Sequence, residues 1–304
     1  MGQLTEMLTQ IISYTSIYAL ASLGIVIGGR TGVFNISGEG IMLASASAGF
    51  IAAYLTGNWF MGFVVGALMG GLFALLLIYI HESLKISQFI LGITLVILGT
   101  GLSDLLYKTI VGVQLFAPEA PRVPEITIPL ISKIPIISAF FNQDIMVYFT
   151  YIAVFVAYYI FYRTRVGLET RAIGEDPLAS DVVGINVSLR RYVTTIIGGM
   201  FMGLAGAYLP LVVTGTYTTN ISNGRGFMAI GIAIFASWRP ERAYLGAFIF
   251  AAIEVFSFQQ QLGSSVLPYQ FLLMLPFISV LVIMWLFRKR VEFPASLGKA
   301  YSRE

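Results

Sequence analysis

The chain has 304 residues, of which 57% are hydrophobic and only 11% are charged, and its formal net charge is +3 at pH 7. Soluble domains hold about 25% charged residues, so this composition excludes an ordinary soluble enzyme or binding domain. The sequence contains no cysteine, which excludes disulfides and thiol chemistry.

About nine apolar elements follow one another along the chain. A hydrocarbon core about 30 Å thick needs roughly 20 apolar residues per helix, and most of the elements are long enough. The elements are Leu8–Ile27, Ile36–Thr56, Trp59–Ile80, Ile86–Tyr107, Ile145–Tyr162, Tyr192–Val213, Gly226–Ser237, Ala243–Phe258 and Leu267–Phe287. The seventh is short, which indicates a broken or re-entrant helix. The sequence therefore predicts an all-α, polytopic integral membrane protein.

A repeated pattern marks a break beside the second element and another beside the seventh. Asn-Ile-Ser begins at Asn35 and again at Asn220, and each copy is followed by a charged residue next to glycine, Glu39 or Arg225. Two four-helix units separated by one span must have opposite orientations, so the pattern predicts an inverted repeat around a central translocation pathway. The first repeat covers about 8–107 and the second about 192–287, with the span 145–162 between them.

The two breaks supply the candidate residues of the pathway. These residues are Asn35, Ser37, Glu39, Asn220, Asn223 and Arg225. The amides of Asn35 and Asn220 can offer donors and acceptors to a base or a sugar. The alternative is that both amides only cap broken helices.

The segment 108–144 between the two repeats is rich in proline. Its prolines are Pro118, Pro121, Pro124, Pro129 and Pro135. This density favours an ordered lid or docking surface over a membrane span.

The polar, basic segment 163–191 interrupts the apolar sequence and contains start and stop signals for a short helix. Asp176 is a suitable N-cap, Pro177 suits the first helical position, and Gly184 is a natural residue just past the end. A helix from Pro177 to Val183 would present Leu178 and Val182 on one face. The pattern predicts a contact for a cytosolic partner that pushes on the spans, although an ordinary interhelical loop is the alternative.

The distribution of basic residues predicts the orientation in the cell membrane. With 163–191 in the cytosol, the cytosolic segments hold 14 of the 18 Lys and Arg residues, and Lys108, Arg122, Lys133 and Arg225 are the other four. The tail 288–304 is then cytosolic. Nine full crossings place the N-terminus outside, whereas a re-entrant segment among the nine elements would place it inside. Because basic residues flank spans for this reason, no nucleic-acid partner is expected.

Motifs for enzymatic chemistry are missing from the sequence. It has no G-x-x-x-x-G-K-[ST] motif for ATP binding, and His81 has no neighbouring ligands for a metal site. Of the charges within spans, Asp104 and Glu254 are interpreted as structural or interfacial, so no ion-coupling site stands out. We therefore expect a transporter subunit that is not an enzyme and is energised from elsewhere. An ion-coupled secondary transporter remains the alternative from another class.

Four stretches carry a resemblance to a known family, and they are RTGVFNISGEGIMLASA, RVGLETRAIGEDPLASDVVGINV, GGMFMGLAGA and LPYQFLLMLPFISVLVIM. The chain resembles permeases of ATP-binding-cassette (ABC) importers for branched-chain amino acids, ribose and nucleosides. The second stretch is similar to the coupling helix by which such permeases dock on their ATPase. The resemblance carries Gly174, Glu175, Asp176, Pro177, Ala179 and Gly184 over to that role, beside the apolar pair Leu178 and Val182.

The stretch 34–40, FNISGEG, resembles the N-I-G-x-E-G pattern of nucleoside permeases, with Ser37 where that pattern often has glycine. The resemblance implies nucleoside uptake, with a ribose-type sugar or a branched-chain amino acid as alternatives. It also implies a second, different permease subunit, a cytosolic ATPase that binds ATP and Mg²⁺, and an extracytoplasmic substrate-binding lipoprotein. No cofactor is expected in this chain.

Overall fold

A computed structural model describes residues 2–112, 117–127, 138–262, 268–287 and 291–301. The helices in these residues are α1 (Gly2–Gly29), α2 (Gly38–Thr56), α3 (Trp59–Leu84), α4 (Gln88–Ile110), α5 (Ser138–Phe141), α6 (Ile145–Arg163), α7 (Arg165–Glu175), α8 (Pro177–Val182), α9 (Val187–Tyr208), α10 (Arg225–Phe235), α11 (Pro240–Leu262) and α12 (Tyr269–Phe287). Seven helices in the described part of the chain are long and apolar enough to cross a membrane. The predicted all-α membrane fold is confirmed.

Each of the nine predicted elements overlaps one α-helix of the structure. The short seventh element is the 11-residue helix α10, which begins after Gly224 in the left-handed conformation (φ 80°). The sixth element, α9, continues into one π-helical turn, Leu209–Val213. Pro210 lies in this turn, and proline has no N–H to donate to the regular α-helical ladder.

Close contacts between glycines hold the central helices together. α1 packs against α9 and α11, and α9 also packs against α2 and α3. A Cβ atom on Gly24 of α1 would lie 2.2 Å from the carbonyl oxygen of Gly198, and one on Gly70 of α3 would lie 2.2 Å from that of Gly199. In lipid, where hydrophobicity does not drive helices together, small residues let backbones approach and pack. Substituting either glycine would force these helices apart.

The helix ends form two faces, one of which we call the basic face. There the Arg30 side chain, just after α1, donates hydrogen bonds to the Trp238 carbonyl (Nε to O, 2.6 Å) and to the Tyr162 hydroxyl (3.3 Å). Arg191, at the start of α9, also lies on this face and is fully buried. The basic face thus gathers the ends of α1, α6 and α10 beside the start of α9.

The opposite face carries the described part of the proline-rich segment. Its short strand β1 (Glu125–Thr127) pairs antiparallel with β2 (Asn142–Asp144), with Ile126 opposite Gln143. The Gln143 amide donates to the Thr9 carbonyl of α1 (3.1 Å) and accepts from the Ser13 hydroxyl (3.0 Å). Residues 113–116 and 128–137 of the predicted lid lie outside the described residues, so the lid stays a prediction.

Candidate functional site

The short helix α8 on the basic face has the caps that the sequence predicts. The Asp176 carboxylate accepts a hydrogen bond from the Ala179 backbone N–H (3.0 Å), and Pro177 occupies the first turn. The helix ends at Val182, one residue before the predicted end, and Gly184 follows in the left-handed conformation (φ 89°). Since only glycine adopts this conformation without strain, Gly184 fixes where the helix stops.

The apolar side chains of α8 point away from the rest of the protein. Leu178 is 57% exposed, Val182 is 87% exposed, and the adjacent Val183 is 74% exposed. Within α8, Ser180 is the buried residue. An exposed apolar patch of this kind, rimmed by polar residues, is typical of a surface that another protein covers.

The other predicted coupling residues, before and within α8, are divided between exposed and buried positions. Glu175 and Ala179 are exposed, whereas Gly174 is buried where a Cβ atom would lie 2.3 Å from the Arg30 carbonyl oxygen. The last turn of α7 therefore presses directly on the chain that leaves α1.

A cavity of about 500 Å³ lies beside α8, between the end of α3 and the start of α9. Its lining includes Glu82, Lys85, Asp181, Asn186 and Tyr192. The concave surface next to an exposed apolar helix can receive a protruding segment of a partner.

In the middle of the molecule, the start of α2 faces the start of α10. The Glu39 carboxylate accepts hydrogen bonds from the backbone N–H groups of Gly224 (2.8 Å) and Gly226 (2.7 Å). It also accepts one from the Ser222 hydroxyl (2.5 Å). Free N–H groups and the helix dipole make a helix N-terminus attractive to a carboxylate. Glu39 therefore caps α10 from another helix, and we call this contact the central junction.

Arg225 continues the central junction as part of a buried ion pair. Its Nη2 lies 2.7 Å from Oε1 of Glu254 on α11, and both residues are 7% exposed. The other Glu254 oxygen accepts from the Tyr18 hydroxyl (2.5 Å), and the Tyr14 ring lies 5.6 Å from the guanidinium carbon. The charges thus join α1, α10 and α11.

The structure separates the remaining predicted pathway residues. Asn35 is buried, and its Oδ1 accepts from the Ser37 N–H (3.0 Å) and hydroxyl (2.5 Å), which caps the approach to α2. Its Nδ2 atom has no hydrogen-bond partner in the part of the chain that the structure describes. Asn220 and Asn223 are exposed and lie in left-handed turns (φ 57° and 45°). The geometry brings Glu39 and Arg225 close to one helix start but leaves Asn220 and Asn223 at the surface.

The opposite face contains a cleft of about 510 Å³, which is lined by residues of the proline-rich segment and by residues at helix ends. Arg122, Glu125 and Asn142 line it together with Asp144, the N-cap of α6. Burial raises the pKa of the Asp144 carboxyl, against the hydrogen bonds from Tyr208 and from backbone N–H groups that lower it. Within the described residues, no group of three or more His, Cys, Asp or Glu side chains is arranged to hold a metal ion.

A protein-family model matches almost the whole chain. The model of the permease component of branched-chain amino acid transport systems matches residues 7–285. The chain belongs to this family. It is a multi-pass membrane protein and a permease subunit of an ABC transporter.

Three curated relatives resemble the permease over most of their length. The putative glucose ABC transporter permease of Haloferax volcanii is 35% identical over 84% of the chain and 78% of its own length. The guanosine ABC transporter permease NupQ of Bacillus subtilis is 30% identical over 98% of each chain. The nucleoside ABC transporter permease NupC of Lactococcus lactis subsp. cremoris is 28% identical over 95% of the chain and 94% of its own length.

Sequence reasoning missed two features of the permease, one next to α8 and one at the central junction. It did not predict α7, although Thr164 provides an N-cap by accepting from the Gly167 N–H (3.2 Å). It also did not pair Arg225 with Glu254, because these residues lie on different helices and no sequence spacing connects them. The hydroxyl at position 164 was the signal that could have located α7.

Proposed function

We propose that this permease forms the pathway of an ABC importer for nucleosides, driven by ATP that a separate subunit hydrolyses. The observation that carries the ATP-driven mechanism is α8, a capped helix whose apolar side chains Leu178 and Val182 are exposed on the protein surface. The substrate class rests on the guanosine and nucleoside permeases among the relatives, which align over nearly the whole chain. The FNISGEG stretch at the start of α2 supports the same class.

The ATPase contact would lie on the basic face, which we place in the cytosol together with the C-terminal tail. Leu178 and Val182 would insert into the ATPase, and the cavity beside α8 would receive a segment of it. Asp176 and Gly184 would keep α8 at a fixed length and angle, so that motion of the ATPase moves the helix as a unit. Gly174 would pass the motion to Arg30 at the end of α1.

The transport pathway would run along two repeats, α1–α4 and α9–α12, which meet at the central junction. Both α2 and α10 start there, and the Glu39 carboxylate connects them. A carboxylate that bridges two helix starts favours a two-state element, because its three hydrogen bonds can break and reform together. The amide of Asn35 would offer its unpaired Nδ2 to a base or sugar only when the junction opens.

The remaining partners would be a second, different permease subunit and an extracytoplasmic binding lipoprotein. The binding protein would dock on the face opposite the basic face. There the cleft carries a positive side chain, Arg122, and a negative one, Glu125, for polar contacts with the binding protein. ATP and Mg²⁺ would be held by the ATPase.

A sugar is the second candidate substrate, because the Haloferax relative with 35% identity is named for glucose. That relative aligns with less of the chain than the nucleoside permeases do. An ion-coupled mechanism is less well supported, because Glu254 is held in an ion pair with Arg225. A coupling carboxylate needs to exchange its proton or ion during each cycle.

Substrate competition in proteoliposomes tests the proposal. The permease is reconstituted with its partner permease and ATPase, and uptake of a labelled purine nucleoside is followed with the binding protein outside. We expect competition by unlabelled purine nucleosides and none by glucose, ribose or leucine. Competition by glucose alone would contradict nucleoside uptake and favour the sugar candidate.

A further inference from the structure

Residues 291–301, which we call the tail strap, lie along the basic face and contact several elements. The strap contains one turn, 295–298, in which Gly298 adopts the left-handed conformation (φ 78°). Three of its residues, Pro294, Ser296 and Tyr301, are buried. A C-terminal segment that runs across helix ends and buries side chains is held by the fold.

The strap satisfies the last carbonyl groups of α7. The Ser296 N–H donates to the Gly174 carbonyl (2.9 Å), and the Ser296 hydroxyl lies 2.8 Å from the Gly174 carbonyl and 3.1 Å from the Ile173 carbonyl. A helix leaves its final C=O groups without partners inside the helix. Ser296 thus caps the end of α7 at Gly174, which lies two residues before Asp176, the N-cap of α8.

One end of the strap reaches the turn that follows α10. The Phe293 and Trp238 rings pack with centroids 5.0 Å apart, and the Glu292 N–H donates to the Ser237 hydroxyl (3.3 Å). Ser237 and Trp238 both have positive φ angles (52° and 54°), a conformation that costs free energy for residues other than glycine. A neighbouring segment is therefore needed to hold this turn.

The other end of the strap reaches the chain between α1 and α2. The Gly298 N–H donates to the Gly32 carbonyl (2.9 Å), and a Cβ atom on Gly32 would lie 2.4 Å from the Ser296 hydroxyl. Arg191 fastens the same region, because it donates to the carbonyls of Thr31 (3.1 Å) and Lys299 (3.2 Å). The strap is thereby linked to the segment that leads into α2 and to the turn that ends α10, the two helices that meet at the central junction.

We propose that the tail strap transmits the displacement of the coupling segment α7–α8 to the segment that leads into α2 and to the turn that follows α10, with Ser296 as a positioning residue. The reason is geometric. In α8 only Ser180 is buried, so the helix itself makes few buried contacts with the membrane-spanning helices. The strap, in contrast, contacts the end of α7, Gly32 before α2, and Trp238 after α10. The inference rests on the proposed ATP-driven import.

The test measures ATP hydrolysed per nucleoside taken up by the reconstituted transporter, with a labelled purine nucleoside as the probe. Two variants weaken the strap, Ser296→Ala and a chain that ends at Arg290. Their matched controls are Lys299→Ala, which removes an exposed side chain but keeps its carbonyl, and a chain that ends at Tyr301. Co-purification with the ATPase reports assembly.

We expect Ser296→Ala to assemble, to hydrolyse ATP at the wild-type rate or faster, and to raise the ATP cost of each transported nucleoside by about fivefold. That factor is the change in an equilibrium that loss of one typical buried hydrogen bond causes. The chain ending at Arg290 is expected to show a larger increase, and both controls the wild-type ratio. A strap that only stabilises the fold would lower uptake and hydrolysis together.

If Ser296→Ala hydrolyses as much ATP per transported nucleoside as the wild type, the proposal is overturned. This holds even if the chain ending at Arg290 fails to assemble, because Ser296→Ala alone decides the test. Failure of the proposed function has a different signature, because the wild-type transporter itself would then show no ATP-driven uptake.

Discussion

At the scale of single residues, the carboxylate of Glu39 links the two broken helices α2 and α10. It accepts three hydrogen bonds from residues 222–226 while lying in the first turn of α2. Hydrogen bonds to a charged group contribute about 1.5 to 3 kcal/mol each. A change at this position acts on both helix starts at once.

We expect Glu39→Gln to lower the free energy of unfolding by about 2 kcal/mol, because a neutral amide makes weaker bonds to the helix start. Thermal unfolding of the purified permease in detergent checks this expectation. The control is Glu175→Gln, which neutralises an exposed carboxylate. Equal unfolding temperatures for the two variants would contradict the capping role.

The Arg225–Glu254 pair is buried, and its energetics differ from those of a surface pair. Removing one partner of a buried pair costs about 3 to 5 kcal/mol, whereas replacing both by apolar residues can be nearly neutral. We therefore expect Glu254→Leu and Arg225→Met each to destabilise strongly, and the double variant to destabilise less than either.

A double-mutant cycle of unfolding free energies measures this difference. The control cycle uses Arg190 and Glu169, an ion pair in which each side chain is about one-third exposed. Surface pairs contribute about 0 to 1 kcal/mol, so its coupling should be small. Additive effects at Arg225 and Glu254 would show that the two charges do not stabilise each other.

At the scale of elements, α8 is defined by its two ends. Replacing an Asp N-cap by alanine costs about 1 kcal/mol, while asparagine caps about as well as aspartate. We expect Asp176→Ala to loosen α8 and to raise the ATP hydrolysed per nucleoside transported, with normal assembly. Proteoliposome assays of both activities check this, and Asp176→Asn is the control that should behave as wild type.

The apolar face of α8 gives a separate prediction about binding. Burying a Leu or Val side chain contributes about 1.5 to 3 kcal/mol, so Leu178→Ser and Val182→Ser should each weaken ATPase binding about tenfold or more. Light scattering or co-purification at graded ATPase concentrations measures the affinity. Leu168→Ser on α7, where the side chain is 61% exposed, is the matched control. Equal losses in all three variants would contradict a contact centred on α8.

The elements could be predicted from the sequence because their signals are local. Each of the nine apolar runs overlaps a helix in the described part of the chain, and Asp176, Pro177 and Gly184 located α8 to within one residue. The Ser296–Gly174 contact joins residues 122 apart, and Arg225 and Glu254 are 29 apart on different helices. Such pairs are set by tertiary packing, so periodicity and spacing carry no signal for them.

At the scale of the whole molecule, the basic face and the central junction lie on one continuous path. Gly174 contacts Arg30 at the end of α1, and Arg30 donates to the Trp238 carbonyl after α10. The chain runs forward from Arg30 to Glu39 in α2. From Trp238 it runs backward through α10 to Arg225. These contacts form a continuous route from α8 to both broken helices.

The central claim is that ATP hydrolysis by a partner subunit drives transport through this permease. The most direct measurement is nucleoside uptake into proteoliposomes that contain the assembled transporter, with and without ATP inside and with ion gradients collapsed by ionophores. We expect uptake to require ATP, to stop with an ATPase partner that binds but does not hydrolyse ATP, and to persist with ionophores present. Uptake by the permease alone that needs an ion gradient and ignores ATP would contradict the account.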